Sequence, residues 1–177
     1  MGNQCLTKLS SNITVGCTIP RVGVKNIYLV HAEDVTEMTF SSTNTYVSSI
    51  ALATGAKTIL VEGYKQNIQV TGSLRAMDAS VKQDISVVFK LPRTGSYVSQ
   101  TRSLITGRFY VLVEEANGEY IFVGGVSPLE CSGFDFDSNA NAGMITVTLT
   151  APEGSAGNYF TYVVADVVAA IKSKIGV

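Results

Sequence analysis

Between Arg108 and Thr150 the chain runs through four strand-like segments, and the first of them is apolar on both faces. In Arg108–Glu115 (RFYVLVEE), alternation puts Phe109, Val111 and Val113 on one side and Tyr110 and Leu112 on the other. Successive side chains of a strand point to opposite faces, so the middle of this segment needs cover on both sides. An interior strand of a sandwich or barrel meets that need, and so does a subunit interface. Glu119–Val123 (EYIFV) follows across Ala116-Asn117-Gly118. Asn-Gly between two strand patterns is a strong hairpin signal, because both residues tolerate the positive φ of a tight turn. Gly124-Gly125 and Pro128 break the pattern, and Leu129–Asp137 and Met144–Thr150 then resume the alternation.

The rest of the chain adds more strands. Asn26–Val30, Thr58–Glu62, Asn67–Thr71 and Asp84–Lys90 each read as one, with Ile68 and Val70 sharing a face. Ala32–Met38, carrying Glu33, Asp34 and Glu37, fits a short helix or a loop, and the Ser/Thr/Asn-rich Ser41–Ser49 fits a loop or a polar edge. A short helix is expected between Ser96 and Gly107, with Val98, Arg102 and Ile105 on one face and Gly107 as its stop. Near the end, Phe160, Val163, Val164, Val167, Val168, Ile171 and Ile175 follow helical spacing, with Lys172 and Lys174 where cations favour the helix dipole. The reading there is a strand to about Thr161, then a helix to about Lys174. The expected fold is mainly β: a β-sandwich or small barrel with a short flanking helix and a C-terminal helix. Residues 1–20 are expected to be a flexible N-terminal arm and 21–177 a single β-rich domain.

Charged residues make up 15% of the 177-residue chain, against about 25% in an ordinary soluble domain. Such a chain either exposes uncharged polar surface or buries surface in partners. The formal net charge is −1 with Lys and Arg scattered, which argues against sequence-specific nucleic-acid binding, since that needs a concentrated positive face. No apolar run is long enough to suggest membrane insertion. The N-terminus lacks the apolar core of a secretory signal, and Leu6 stands where a myristoylation pattern calls for Ser or Thr after Gly2. Cys5 and Cys17 can pair or stay free. Cys131 lies in an alternating segment and reads as a small buried apolar residue.

Candidate chemistry is sparse. Asp135, Asp137, Asn139 and Asn141 place oxygen at every second position, as in the opening of a calcium loop. Ala140 stands where that loop needs Gly, and Thr146 where it needs a closing Glu, so the better reading is a strand with Phe134 and Phe136 inward and Asp135 and Asp137 outward. Glu114, Glu115 and Glu119 lie near the hairpin tip and read as a solvated turn rather than as paired glycosidase carboxylates. His31, the single histidine, has no nucleophile motif beside it, and with no C-x-x-C present a zinc site has no ligand set. No phosphate-cradling Gly loop occurs. The expectation is therefore no enzyme, no metal and no cofactor.

The order of elements from about Thr58 to Thr150 resembles the phage tail-tube superfamily, which also holds type VI secretion tubes and some tail-hub domains. The likeness lies in a strand (DISVVFK), a short helix ending at Gly107, the run RFYVLVEEANGEYIFVGGVSPLEC and the segment SGFDFDSNANAGMITVTLTAPE. It covers roughly half the chain and is similar to structural proteins of phages infecting Bacteroides-type bacteria. The resemblance implies a sandwich or small barrel with a flanking helix, and assembly with itself and with other tail or neck proteins into a ring or tube around a DNA channel. It carries no catalytic residue. It also implies a virion location, with assembly in the bacterial host cytoplasm. Asp135, Asp137, Thr146, Thr148 and Thr150 are then candidate channel-facing or surface positions, and Asn117 and Gly118 the hairpin turn. The alternative is a carbohydrate- or receptor-binding sandwich module of a fibre or cell-surface assembly, with Tyr97, Tyr120 and Tyr159 as a sugar platform.

Overall fold

A computed structural model describes residues 23–41, 46–63, 67–77, 80–92, 103–136, 139, 143–152 and 161–176. Eleven strands are described: β1 (Val24–His31), β2 (Val35–Phe40), β3 (Tyr46–Leu52), β4 (Thr58–Glu62), β5 (Ile68–Met77), β6 (Ser80–Leu91), β7 (Arg108–Glu115), β8 (Tyr120–Val123), β9 (Leu129–Phe136), β10 (Ile145–Thr150) and β11 (Thr161–Val163). Residues 103–106 form a helical turn, α1, and Ala165–Lys172 form the C-terminal helix α2. The strand path runs β2-β3-β11-β8-β7-β9-β10-β6-β5, with β1 paired to β7 and β4 to β1. The path does not close, so the fold is sandwich-like and mainly β rather than a barrel.

β7 is the strand on which the rest is organised. β1 lies antiparallel along it from Val24↔Glu115 to His31↔Phe109. The opposite edge is shared, because β8 pairs with Val111–Glu114 and β9 takes only Arg108 and Phe109. The chain therefore leaves β8 at Gly124, which has φ +92°, and returns to the same edge as β9 before departing to pair with β10. That departure creates a second layer, β9-β10-β6-β5, facing β1, β4 and β7.

The two faces of β7 meet two separate cores. Phe109, Val111 and Val113 join Ile27, Leu29, Ile85, Val87, Phe89, Val147 and Leu149 between the layers. Leu112, with Tyr110 beside it, joins Tyr28, Val30, Val47, Phe122, Val167 and Ile171 under α2. The expectation from alternation holds, and both covers come from the chain itself. Each face buries large side chains with no exposed area (Phe109 on one, Leu112 on the other), which by area alone contributes about 1.5–3 kcal/mol apiece.

The hairpin has a three-residue loop. Glu115 N–H donates to Glu119 O (2.9 Å) and Gly118 N–H to Glu115 O (3.0 Å), with Gly118 at φ +89°. Glu119 N–H also donates to Asn117 Oδ1 (2.9 Å). Three-residue hairpin loops require one residue in the left-handed region, and Gly meets that need without steric cost. Gly118→Val should therefore lower stability by about 1 kcal/mol or more, read as a fall in the denaturation midpoint. An unchanged midpoint would mean the loop can re-form without that conformation.

Several boundaries differ from expectation. Only Ala32–Asp34 of the expected helix or loop is helical, as one 3-10 turn, and the chain is extended from Val35. Part of the Ser41–Ser49 loop is strand: β3 begins at Tyr46 and lies inside the sheet between β2 and β11. β5 and β6 run well past Thr71 and start before Asp84. In α1 the buried residue is Leu104, and Ile105 is 47% exposed; Val98 and Arg102 lie outside the described residues. The terminal helix starts at Ala165, after a short β11 that pairs parallel with β3. Residues 1–20 lie outside the described residues.

Candidate functional site

Two groups in one cluster are strongly perturbed, Lys172 and Glu114, and Glu114 is the one read from sequence as part of a solvated turn. That reading is corrected here: Glu114 is 5% exposed. Counting back by twos from Glu114 gives Leu112 and Tyr110, so it occupies the face of β7 that α2 covers. Lys25 Nζ donates to Oε1 at 2.8 Å, and Asn26 Nδ2, Tyr28 Oη and Lys172 Nζ donate to Oε2 at 3.2, 2.5 and 3.4 Å. Lys172 also donates to Tyr120 Oη at 2.6 Å and lies 5.1 and 4.7 Å from the ring centroids of Tyr28 and Tyr120. Burial alone would raise the Glu114 pKa. The bonds from Lys25, Tyr28 and Asn26, with the Lys172 charge, outweigh it and hold the carboxyl at about 2. Burial likewise works against the Lys172 ammonium, yet the Tyr120 and Tyr28 hydroxyls and Glu114 keep its pKa above the ordinary lysine value.

A carboxylate held so low stays ionised near neutral pH and is no general acid there, and the cluster around it is built of charge-assisted bonds. It ties α2 to β1, β7 and β8 through charge-assisted bonds across the end of the second core.

The second feature is a cleft of about 1010 Å3 running along β4. All of Thr58–Glu62 lines it, faced by Phe89–Pro92 at the end of β6, with Leu104 and Met144 among its other walls. His31 stands at this cleft, its ring 4.7 Å from that of Phe109. Among the described residues β4 is hydrogen-bonded as a strand on one side only, to β1. Its other edge carries a single parallel bridge, Thr58↔Ile175: Thr58 N–H donates to Lys174 O (2.8 Å), and Gly176 N–H donates to Thr58 O (3.3 Å). Thr58 Oγ1 is buried without a hydrogen-bond partner among the described residues.

The residues singled out from sequence are not gathered in one place. Asp135 is exposed on β9 opposite Thr146, and Asp137 lies outside the described residues. Thr146, Thr148 and Thr150 alternate along β10 between β9 and β6 and are half-buried; Thr146 Oγ1 is buried without a hydrogen-bond partner among the described residues. Phe134 and Phe136 stand opposite the core residues Val147 and Ile145 but are 36% and 45% exposed, because β9 here runs on past the last residue of β7 it pairs with. Cys131 is half-buried and packs on the first core; burial pushes its thiol pKa up. Cys5, Cys17, Tyr97 and Tyr159 lie outside the described residues. Tyr120 is half-buried and engaged with Lys172, so it is no platform; among the described residues the exposed tyrosines are Tyr46 (47%) and Tyr162 (53%), whose ring centroids are 6.0 Å apart.

Among the described residues no three His, Cys, Asp or Glu side chains gather as a metal cluster, and no helix is long and apolar enough to cross a membrane. Comparison with family models, with curated proteins and with solved structures finds no match to this chain.

Proposed function

We propose that this chain is a non-enzymatic phage virion protein that assembles with copies of itself into a ring or tube of the tail, as tail tube, hub or neck ring. One observation carries the reading: the sheet is unfinished at β5. Its register with β6 is unbroken for ten pairs, Ile68↔Phe89 to Met77↔Ser80, and among the described residues β5 has no strand on its other side. Natural sheets blunt such edges with bulges, Pro or charge. β5 has no bulge in its register, no Pro and one charged residue, Arg75. A long unblunted edge on a chain of low charge fits a subunit whose edge is covered by a neighbour. The doubly apolar β7, by contrast, is covered internally and lends assembly no support.

The path also ends in two different strands, β2 and β5. Unlike ends favour a heterologous contact, and a repeated heterologous contact closes into a ring or propagates as a tube. The test is the native particle: density for this chain should lie on the tail axis or at the neck as a symmetric ring. Its presence only at a fibre tip would overturn the proposal. The saccharide-binding alternative now rests on Tyr46 and Tyr162, since paired exposed rings can stack on a sugar. Binding of a monomeric sample on a glycan array, lost in Tyr162→Ala, would favour it.

A further inference from the structure

β5 and β6 outrun the sheet that supports them. β10 pairs only with Ser86–Leu91 of β6, whereas the β5–β6 pairing continues from Gly72↔Ile85 to Met77↔Ser80. Ile85 is still buried in the first core, so the five residue pairs from Ser73↔Asp84 to Met77↔Ser80 project as a ribbon of two strands, roughly 17 Å long at about 3.3 Å per residue. An isolated two-stranded ribbon is marginal in water and gains stability from a third strand or a packing surface. The chain also has an acceptor. β4 spans five residues; Thr58 is bridged to Ile175, which leaves Ile59–Glu62, roughly 13 Å, as open edge, and the cleft runs along it with Leu91, Leu104 and Met144 in its walls. The bridge at Ile175 shows that this edge takes main-chain hydrogen bonds from an added segment.

We infer that the β5–β6 ribbon of one copy docks in the β4 cleft of a second copy, its β5 edge extending the neighbour's β4-β1-β7 layer. This rests on the ring reading above and specifies its contact. The mode is strand addition: main-chain bonds supply affinity, and the apolar cleft wall selects register. Donor and acceptor are different surfaces, so each copy offers one of each and the contact can repeat. Docking in cis is disfavoured by geometry, because the cleft lies at the ribbon's own root. Asn67 and Phe89, at the supported end of the hairpin, line it, while the free end, Met77↔Ser80, is nine residue pairs away.

The test uses two full-chain variants and their mixture. In the first, residues 73–84 are replaced by Asn-Gly, which removes the ribbon and leaves β4 and the buried Ile85 intact. In the second, Ile59→Lys puts a charge at a β4 position that is 37% exposed, leaving the ribbon intact. Sedimentation velocity should show wild type assembling with concentration, and each variant alone at least tenfold less associated. The equimolar mixture should give one-to-one dimers that grow no further, because only one productive contact can form per pair. A mixture that stays monomeric overturns the docking. Rings formed normally by the ribbonless variant also overturn it while leaving the ring reading intact. Dimers in the mixture, from a protein absent from the tail axis, would keep the docking and remove the ring reading. A measurement on wild type guards against a variant that fails to fold. Hydrogen exchange at Leu60 and Glu62, whose N–H groups lie on the edge away from β1, should slow at least tenfold between dilute and concentrated protein; protection independent of concentration overturns the docking.

Discussion

Glu114→Gln should destabilise the protein by on the order of 3 kcal/mol, a fall in melting temperature of roughly 6–12 °C for a chain of this size. The substitution keeps the shape of the side chain but removes the anion that Lys172 and Lys25 share, leaving a largely covered ammonium beside Tyr28 and Tyr120. Acid sensitivity follows from the same residue. The folded carboxyl titrates at about 2 against an ordinary 4.5, so the unfolded chain takes up its proton first as pH falls. The stability this group contributes is fully present above about pH 4.5 and is lost as pH falls through 2. Denaturant unfolding across that window should show the loss in wild type and not in Glu114→Gln. Parallel pH profiles would show that the carboxylate is not held as described. Added salt should weaken the Lys25 arm more than the Lys172 arm, because the Lys25 side chain is 62% exposed and that of Lys172 is 32%.

Phe109→Ala should cost about 3–5 kcal/mol, the range for emptying a fully buried aromatic site. The ring has no exposed area and lies against His31. It also closes the turn after α1: a Cβ built on Gly107 would come within 2.5 Å of the Phe109 ring. That close approach, and not only a helix stop, is why Gly stands there. Two neighbours locate the effect. Ile105→Ala, at a half-exposed site, should change stability by less than about 0.5 kcal/mol. Gly107→Ala should be destabilising in wild type and less so beside Phe109→Leu. A Phe109→Ala protein with an unchanged denaturation midpoint would mean the ring lies outside the core.

What could be read from residues alone was set by how local the cause was. Thr58–Glu62 and Arg108–Glu115 are dense in β-branched and aromatic residues, and their boundaries were legible without tertiary context. The same alternation assigned Phe109 and Leu112 to opposite faces, and both faces are covered. The outer half of β5 was not legible. Gly72, Ser73 and Ala76 have little strand preference, and pairing with β6 overrides it. β3 was hidden similarly by Ser48 and Ser49, whose hydroxyls bond to Thr39 across the pair with β2. Glu114 was missed for another reason. Proximity to a hairpin tip was given more weight than the alternation that put it under α2, and its partners come from positions 25, 26, 28 and 172. No local pattern announces such a meeting.

The parallel pairing of β11 with β3 sets an order of events in the life of the chain. Tyr162 pairs with Tyr46, so the inner edge of β3 has its neighbour synthesised over a hundred residues later. α2, which covers Val47 and Leu112, comes later still. Contacts so distant in sequence carry a large loop-closure cost and form late. During synthesis the β2–β3 hairpin is therefore an orphan, with one apolar face bare and the edge that will meet β11 open. At high expression this interval, more than any weakness of the finished fold, is where chains would be lost to aggregation.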